Sequence, residues 1–326
     1  MRTILKGFMA SLLLALIVSD SVSQEVTDNL TTDPENAPFV YEDIRNFVRA
    51  HAMLATDADT MGILQQEYLD VGTPGLKMFI EKYDLTTERL IKAIRKHPDD
   101  YASLGDMPEW LATKEEPVRR AFTQLKRYIP NVVFPPTYYL IGGYRGIGSG
   151  SVEGQLITVE KSANKRGKKK FAPLLVHELV HFQQVVAVGY PKYKALFGPE
   201  KSLLGLTIRE GTAEFFADLV TGEMTQDEAR EFTIAREPEL WEQFQKDMLG
   251  SETGDWMWQK PSDPEQPRHV AYVLGARIVE SYYKNAPDKE KAVREILSVT
   301  DYPAFLEKSG YAGQFSGGEG ESQPGE

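Results

Sequence analysis

The chain has 326 residues, 26% of them charged, a formal net charge of −11 and no cysteine. The missing thiols exclude disulfides, thiolate metal ligands and a cysteine nucleophile together. The acidic balance makes nucleic acid or an anionic membrane a poor partner, and the length fits one large or two ordinary domains.

Arg2 and Lys6 precede an apolar run over residues 8–18, and Ser21-Val22-Ser23 follow before Gln24. These are the proportions of a secretory signal over residues 1–23. The run is too short to span a bilayer comfortably, and no later stretch reads as long enough. The expectation is therefore an exported protein, periplasmic or extracellular, with no stable membrane insertion after signal cleavage. Residues 24–38, rich in Asn, Thr, Asp and Pro, read as a linker.

From residue 39 to about 130 the pattern is helical, with Ile44, Phe47 and Val48 on one stripe and Leu90, Ile91 and Ile94 on another. His51 and His97 fall in this part and carry no assigned chemistry. The period then changes. Residues 131–134 and 138–141 read as extended segments around Pro135-Pro136, and residues 155–159 read as a strand. The Gly- and Ser-rich residues 142–154 have Ser151 where a dinucleotide loop needs its last glycine, and no Gly-Lys-Ser/Thr follows. A hairpin connection is the simpler reading, with residues 155–159 free to pair with an extended peptide. The basic run over residues 161–170 reads as a solvated loop, or as a rim attracting acidic substrates.

His177-Glu178-Leu179-Val180-His181 follows, in a segment over residues 171–188 that is apolar on nearly every side. On a helix the two imidazoles share a face one turn apart, so both reach one ion. Glu178 lies about 100° around from His177, beside the ion, where it can take a proton from water. Burying these three groups without a partner costs several kcal/mol, on the order expected for unpaired polar groups. Zinc supplies a partner, and such a site needs a third protein ligand. A third histidine in an HxxGxxH extension is ruled out by Gln184 and Ala187. Glu210 and Glu214 are again i and i+4, so one can bind metal while the other orients a ligating histidine. Gly211 lets two helices approach closely.

Downstream, Gly222 marks a helix stop, and Thr225 with Glu228 reads as a capping box. Trp241, Phe244, Met248, Trp256 and Trp258 read as core, with a cleft wall as the alternative. Residues 267–275 open a helix running to about residue 284 and bring His269, Arg268 and Tyr272 as candidate donors to an oxyanion. Residues 313–326 have almost nothing to bury and read as a disordered tail.

The HExxH of residues 177–181 with the E-G-x-A-E of residues 210–214 resembles the gluzincins, zinc peptidases with HExxH on one helix and a glutamate ligand on the next. More narrowly, the Gly-rich strand segment, HELVH, EGTAEF and late Tyr-x-x-Gly resemble a bacterial family of predicted zinc-dependent proteases related to a gliding-motility lipoprotein, over about residues 138–283. The resemblance implies an α+β, helix-rich gluzincin-like zinc peptidase domain over residues 39–312, with a small sheet bordering the active-site helix. It implies His177, His181 and Glu210 on Zn2+, Glu214 behind a ligand, Glu178 as general base, and Tyr272 as the family's tyrosine with His269 its rival. The expected activity is hydrolysis of a peptide or protein substrate. The alternative is a cell-envelope binding or assembly protein that keeps the peptidase fold without turnover.

Overall fold

The structure is a computed structural model that describes residues 30–55, 59–145, 148–151, 153–163, 170–198 and 200–318. The expected signal segment, residues 164–169 of the basic run and residues 319–326 of the tail lie outside them.

Residues expected as a linker are tied down where they are described. Thr31 bridges to Phe134, and the 3-10 turn Pro34–Asn36 offers carbonyls to Arg119. Strand β1 (Phe39–Val40) leads to α1 (Glu42–Met53), which buries Ile44 and Phe47. Helix α2 (Thr60–Leu64) runs into a single π turn, Gln65–Leu69. Helices α3 (Pro74–Tyr83) and α4 (Thr87–Lys96) both open on a threonine whose hydroxyl accepts a first-turn N–H. Two short helices, α5 (Pro98–Ala102) and α6 (Met107–Ala112), lead to α7 (Glu115–Tyr128).

The sheet adds β2 (Thr137–Leu140), β3 (Gly148–Ser151) and β4 (Gly154–Thr158), in the order β1-β2-β4-β3. The first three strands are parallel, and β3 runs antiparallel to β4 with Gly148 opposite Ile157. The expectation that residues 155–159 could pair with a peptide is therefore corrected. Strand β4 is bonded on both sides, and β3 is the edge. Part of the Gly/Ser segment read as a connection, Gly148–Ser151, is itself a strand of the sheet.

Helix α8 (Phe171–Val188) carries the HExxH residues and packs on β3, β4 and α7. It has the length and apolarity of a membrane span, contrary to the expectation for later segments, but two thirds of it (67%) is buried inside the fold. After α9 (Tyr190–Ala195) comes α10 (Leu203–Thr221), capped by Ser202 and stopped by Gly222 at φ +73°. It is buried along almost its whole length, and Arg209, Glu210 and Glu214 are buried with it. Helices α11 (Asp227–Ala235) and α12 (Glu237–Asp247) precede α13 (Val270–Asn285), α14 (Lys289–Leu297) and α15 (Tyr302–Ser309).

Helices α10 and α13 meet at glycine. A Cβ on Gly211 would run into the Gly275 backbone, and one on Gly275 into the Thr207 carbonyl. The close approach foreseen for Gly211 is thus to α13. The same contact explains the Tyr-x-x-Gly spacing, with Gly275 at the crossing and Tyr272 nearly one turn earlier.

One core joins the helical N-terminal part to the rest, with Tyr139 of β2 and Trp110 of α6 both packed against Phe171 of α8. Trp241, Phe244 and Trp256 are buried, as core packing requires, whereas Trp258 is exposed. Residues 313–318, expected as tail, continue a 3-10 helix from Tyr311, and Phe315 packs on Trp241. Lys170, the described end of the basic run, is mostly buried and pairs with Asp227 at 2.7 Å and Glu223 at 3.4 Å, so it is no part of a solvated rim.

Candidate metal centre

Helix α8 presents His177 and His181 from successive turns, and α10 faces them with Glu210. His177 Nε2, His181 Nε2 and Glu210 Oε2 form a triangle with edges of 3.1, 3.1 and 3.3 Å. A tetrahedral ion with bonds of roughly 2.0–2.1 Å places its ligand atoms about 3.3–3.4 Å apart. The donor atoms already stand close to that spacing. All three residues are at most 6% exposed, and together they make a buried group able to hold a metal ion.

The other nitrogen of each ring faces an oxygen acceptor. His181 Nδ1 lies 2.9 Å from Gln184 Oε1, whose Nε2 donates to the Arg209 carbonyl at 3.1 Å. His177 Nδ1 lies 3.0 Å from Glu214 Oε1, within ion-pair reach though off the line of a hydrogen bond. In the neutral rings these acceptors favour the proton on Nδ1, which frees both Nε2 lone pairs for an ion. Glu214 is fully buried and held in turn by Thr225, whose N–H donates to Oε2 at 2.8 Å and whose hydroxyl donates to Oε1. The expected capping box is therefore corrected. Helix α11 starts at Asp227 without a side-chain cap, because Thr225 is bonded to Glu214.

No family model matches this chain, and no curated protein or solved structure does.

Electrostatics at the site ask for positive charge. Burial alone would lower the His177 imidazole, but Glu210 and Glu214 outweigh it and push it up to about 10. Burial likewise works to raise Glu210, but His181 and Arg209 hold it well below the ordinary carboxylate range. Glu178, 7% exposed and outside the donor triangle, is raised by burial, an effect His177 and His181 only partly offset. With the imidazoles neutral, three buried carboxylates outnumber the positive charges that act on them, Arg209 at Glu210 and Lys82 on Glu178. A divalent cation makes up that deficit.

Glu178 sits directly under the edge strand. A Cβ at Gly148 would occupy the place of the Glu178 carboxylate, so any larger residue there must displace it. On the opposite side Tyr272 of α13 stacks on His177, ring centroids 6.1 Å apart, and His269 packs edge-on against Tyr272 at 5.0 Å. His269 starts α13 in a left-handed conformation, φ +69°, with its N–H on the Met257 carbonyl at 2.7 Å. Burial raises the Tyr272 hydroxyl well above its usual range and lowers His269, so near neutrality the first keeps its proton and the second is uncharged. Arg268 is exposed. His51 stacks on Phe47 and His97 on Tyr144, and neither belongs to the donor triangle.

The sequence reading gives Gln184, Arg209, Thr225 and Gly148 no place at the site. Gln184 had a usable signal, since it follows His181 by three residues on the same helix face. Arg209 adjoins Glu210 on α10 but belongs to no motif, and Thr225 and Gly148 meet the site across elements, where no local spacing announces them.

Proposed function

We propose that this chain is an exported zinc-dependent peptidase of gluzincin type. The observation that carries the reading is the triangle of His177, His181 and Glu210 donors, spaced for a tetrahedral ion, with the buried carboxylate of Glu178 beside it. The two neutral imidazoles and one carboxylate suit zinc, and three protein ligands are the number a catalytic zinc site keeps. When bound, zinc supplies a Lewis acid that polarises the scissile carbonyl and makes the attacking water more acidic. Glu178 then takes the proton of that water and returns it to the leaving amine. Its raised affinity for protons moves it toward the operating pH, as general-base work requires. Glu214 and Gln184 hold the imidazole tautomers, and Thr225 holds Glu214. Tyr272, protonated and beside His177, is the nearer candidate to face the oxyanion, with His269 behind it.

Cleavage products of a peptide library, compared between zinc-loaded protein and its Glu178→Gln form, test the reading. Products made only by the former support a peptidase. Zinc binding in both forms with no products from either supports the binding or assembly protein instead. Other hydrolysable substrates, run in parallel, would expose a hydrolase of a different class.

A further inference from the structure

Arg209 is a charged side chain at 5% exposure, immediately before Glu210 on α10. Its Nη2 donates to Glu210 Oε1 at 2.7 Å, leaving Oε2 as the oxygen that faces His177 and His181. Its Nε and Nη1 find no hydrogen-bond partner among the described residues. In place of water the guanidinium lies over the ring of Phe197 at 3.6 Å and that of Tyr193 on α9 at 4.9 Å. Its own carbonyl reaches the second imidazole through Gln184. A buried guanidinium with a single carboxylate to answer its charge is bound to that carboxylate strongly, since separating them would strand both.

Resting on the metal-centre reading above, we infer that Arg209 is a positioning residue that makes Glu210 a one-oxygen ligand and so keeps a coordination position open. The physical reason is competition for Oε1. Released from the guanidinium, the Glu210 carboxylate is free to turn both oxygens toward the same ion, filling the place that water or a carbonyl needs. Phe197 under the guanidinium and Tyr193 beside it, themselves packed edge-on, restrict its plane, so the fork meets one oxygen at a set angle.

The test uses Arg209→Met, whose unbranched stem can still pack against the two rings. Zinc affinity, from competition with a chelator, is expected to fall about 10- to 100-fold, the usual cost of losing a group that orients a ligand. The cobalt-loaded variant is expected to show a weaker visible absorption band than cobalt-loaded wild type, the mark of an added ligand atom. Wild-type affinity together with an unchanged band overturns the inference while leaving the metal centre standing. Failure of the wild type to bind either ion at all removes the metal centre itself. X-ray absorption on zinc-loaded wild type needs no variant and decides the matter if Arg209→Met does not fold. One-oxygen carboxylate coordination is the expected result, and two-oxygen coordination overturns the inference.

Discussion

Glu178 and Tyr272 flank His177 without belonging to the donor triangle, so each separates metal binding from turnover. Glu178→Gln keeps shape and removes the base. Zinc content should stay at about one per chain while hydrolysis falls roughly 10²–10⁴-fold. Tyr272→Phe should also keep zinc and lose mainly kcat, by roughly 10²-fold, with KM little changed. A silent Tyr272→Phe beside a crippled His269→Ala would transfer the oxyanion role to the histidine. At this scale the sequence was most legible where chemistry follows a helical repeat. The pairs 177/181 and 210/214 needed only the i, i+4 rule, although which acid faces the ion depended on how α10 is rotated against α8. Thr225 was misread for the opposite reason. Its spacing to Glu228 satisfies a local motif, but a buried carboxylate eleven residues upstream competes for the same hydroxyl and wins.

Helix α8 was legible as a long apolar segment and α10 from its paired acids and the Gly222 stop, yet the all-round apolarity of α8 hid which of its faces meet the neighbours. Strand β3 was not legible, since Gly and Ser have low strand propensity and carry no alternating pattern. Its composition follows from position: the strand must pass over Glu178. Gly148→Ala is expected to push the Glu178 carboxylate aside and cut hydrolysis at least tenfold while zinc content holds. Loss of zinc with retained hydrolysis would contradict that picture. Gly275→Ala strikes the Thr207 carbonyl across the α10–α13 crossing, where no side chain can yield. Overpacking of this kind costs typically 1–3 kcal/mol or more, and the denaturation midpoint should fall accordingly. An unchanged midpoint would mean that the two helices do not touch there.

Across the molecule, ligands come from two helices far apart in sequence, so an ion that binds them stabilises the fold as a whole. At a free zinc concentration a hundred times its dissociation constant the gain is about 2.7 kcal/mol. A chelator should lower the melting temperature to match. The size of that drop should depend on pH. In metal-stripped protein His177, pushed up to about 10, lies above its ordinary value of 6.5. Its protonated pairing with Glu210 and Glu214 therefore contributes fully below about 6.5 and is lost as pH rises toward 10. The zinc-loaded form needs the neutral ring and loses nothing over that range. The gap between the two melting curves should widen from pH 6 to pH 9, and a constant gap would rule out His177 as the proton competitor.

The bond from Thr225 N–H to Glu214 also gives the buried centre an outlet. A turn residue just outside α11 would ordinarily trade its amide hydrogen with solvent in moments, yet this amide is donated to a fully buried carboxylate that also supports His177. Its exchange with deuterium should accordingly be slow, and should slow further when the ion locks His177 and Glu214 in place. A single peptide spanning residue 225, followed by mass spectrometry, would then report occupancy of the centre in the intact protein without substrate, inhibitor or spectroscopic metal.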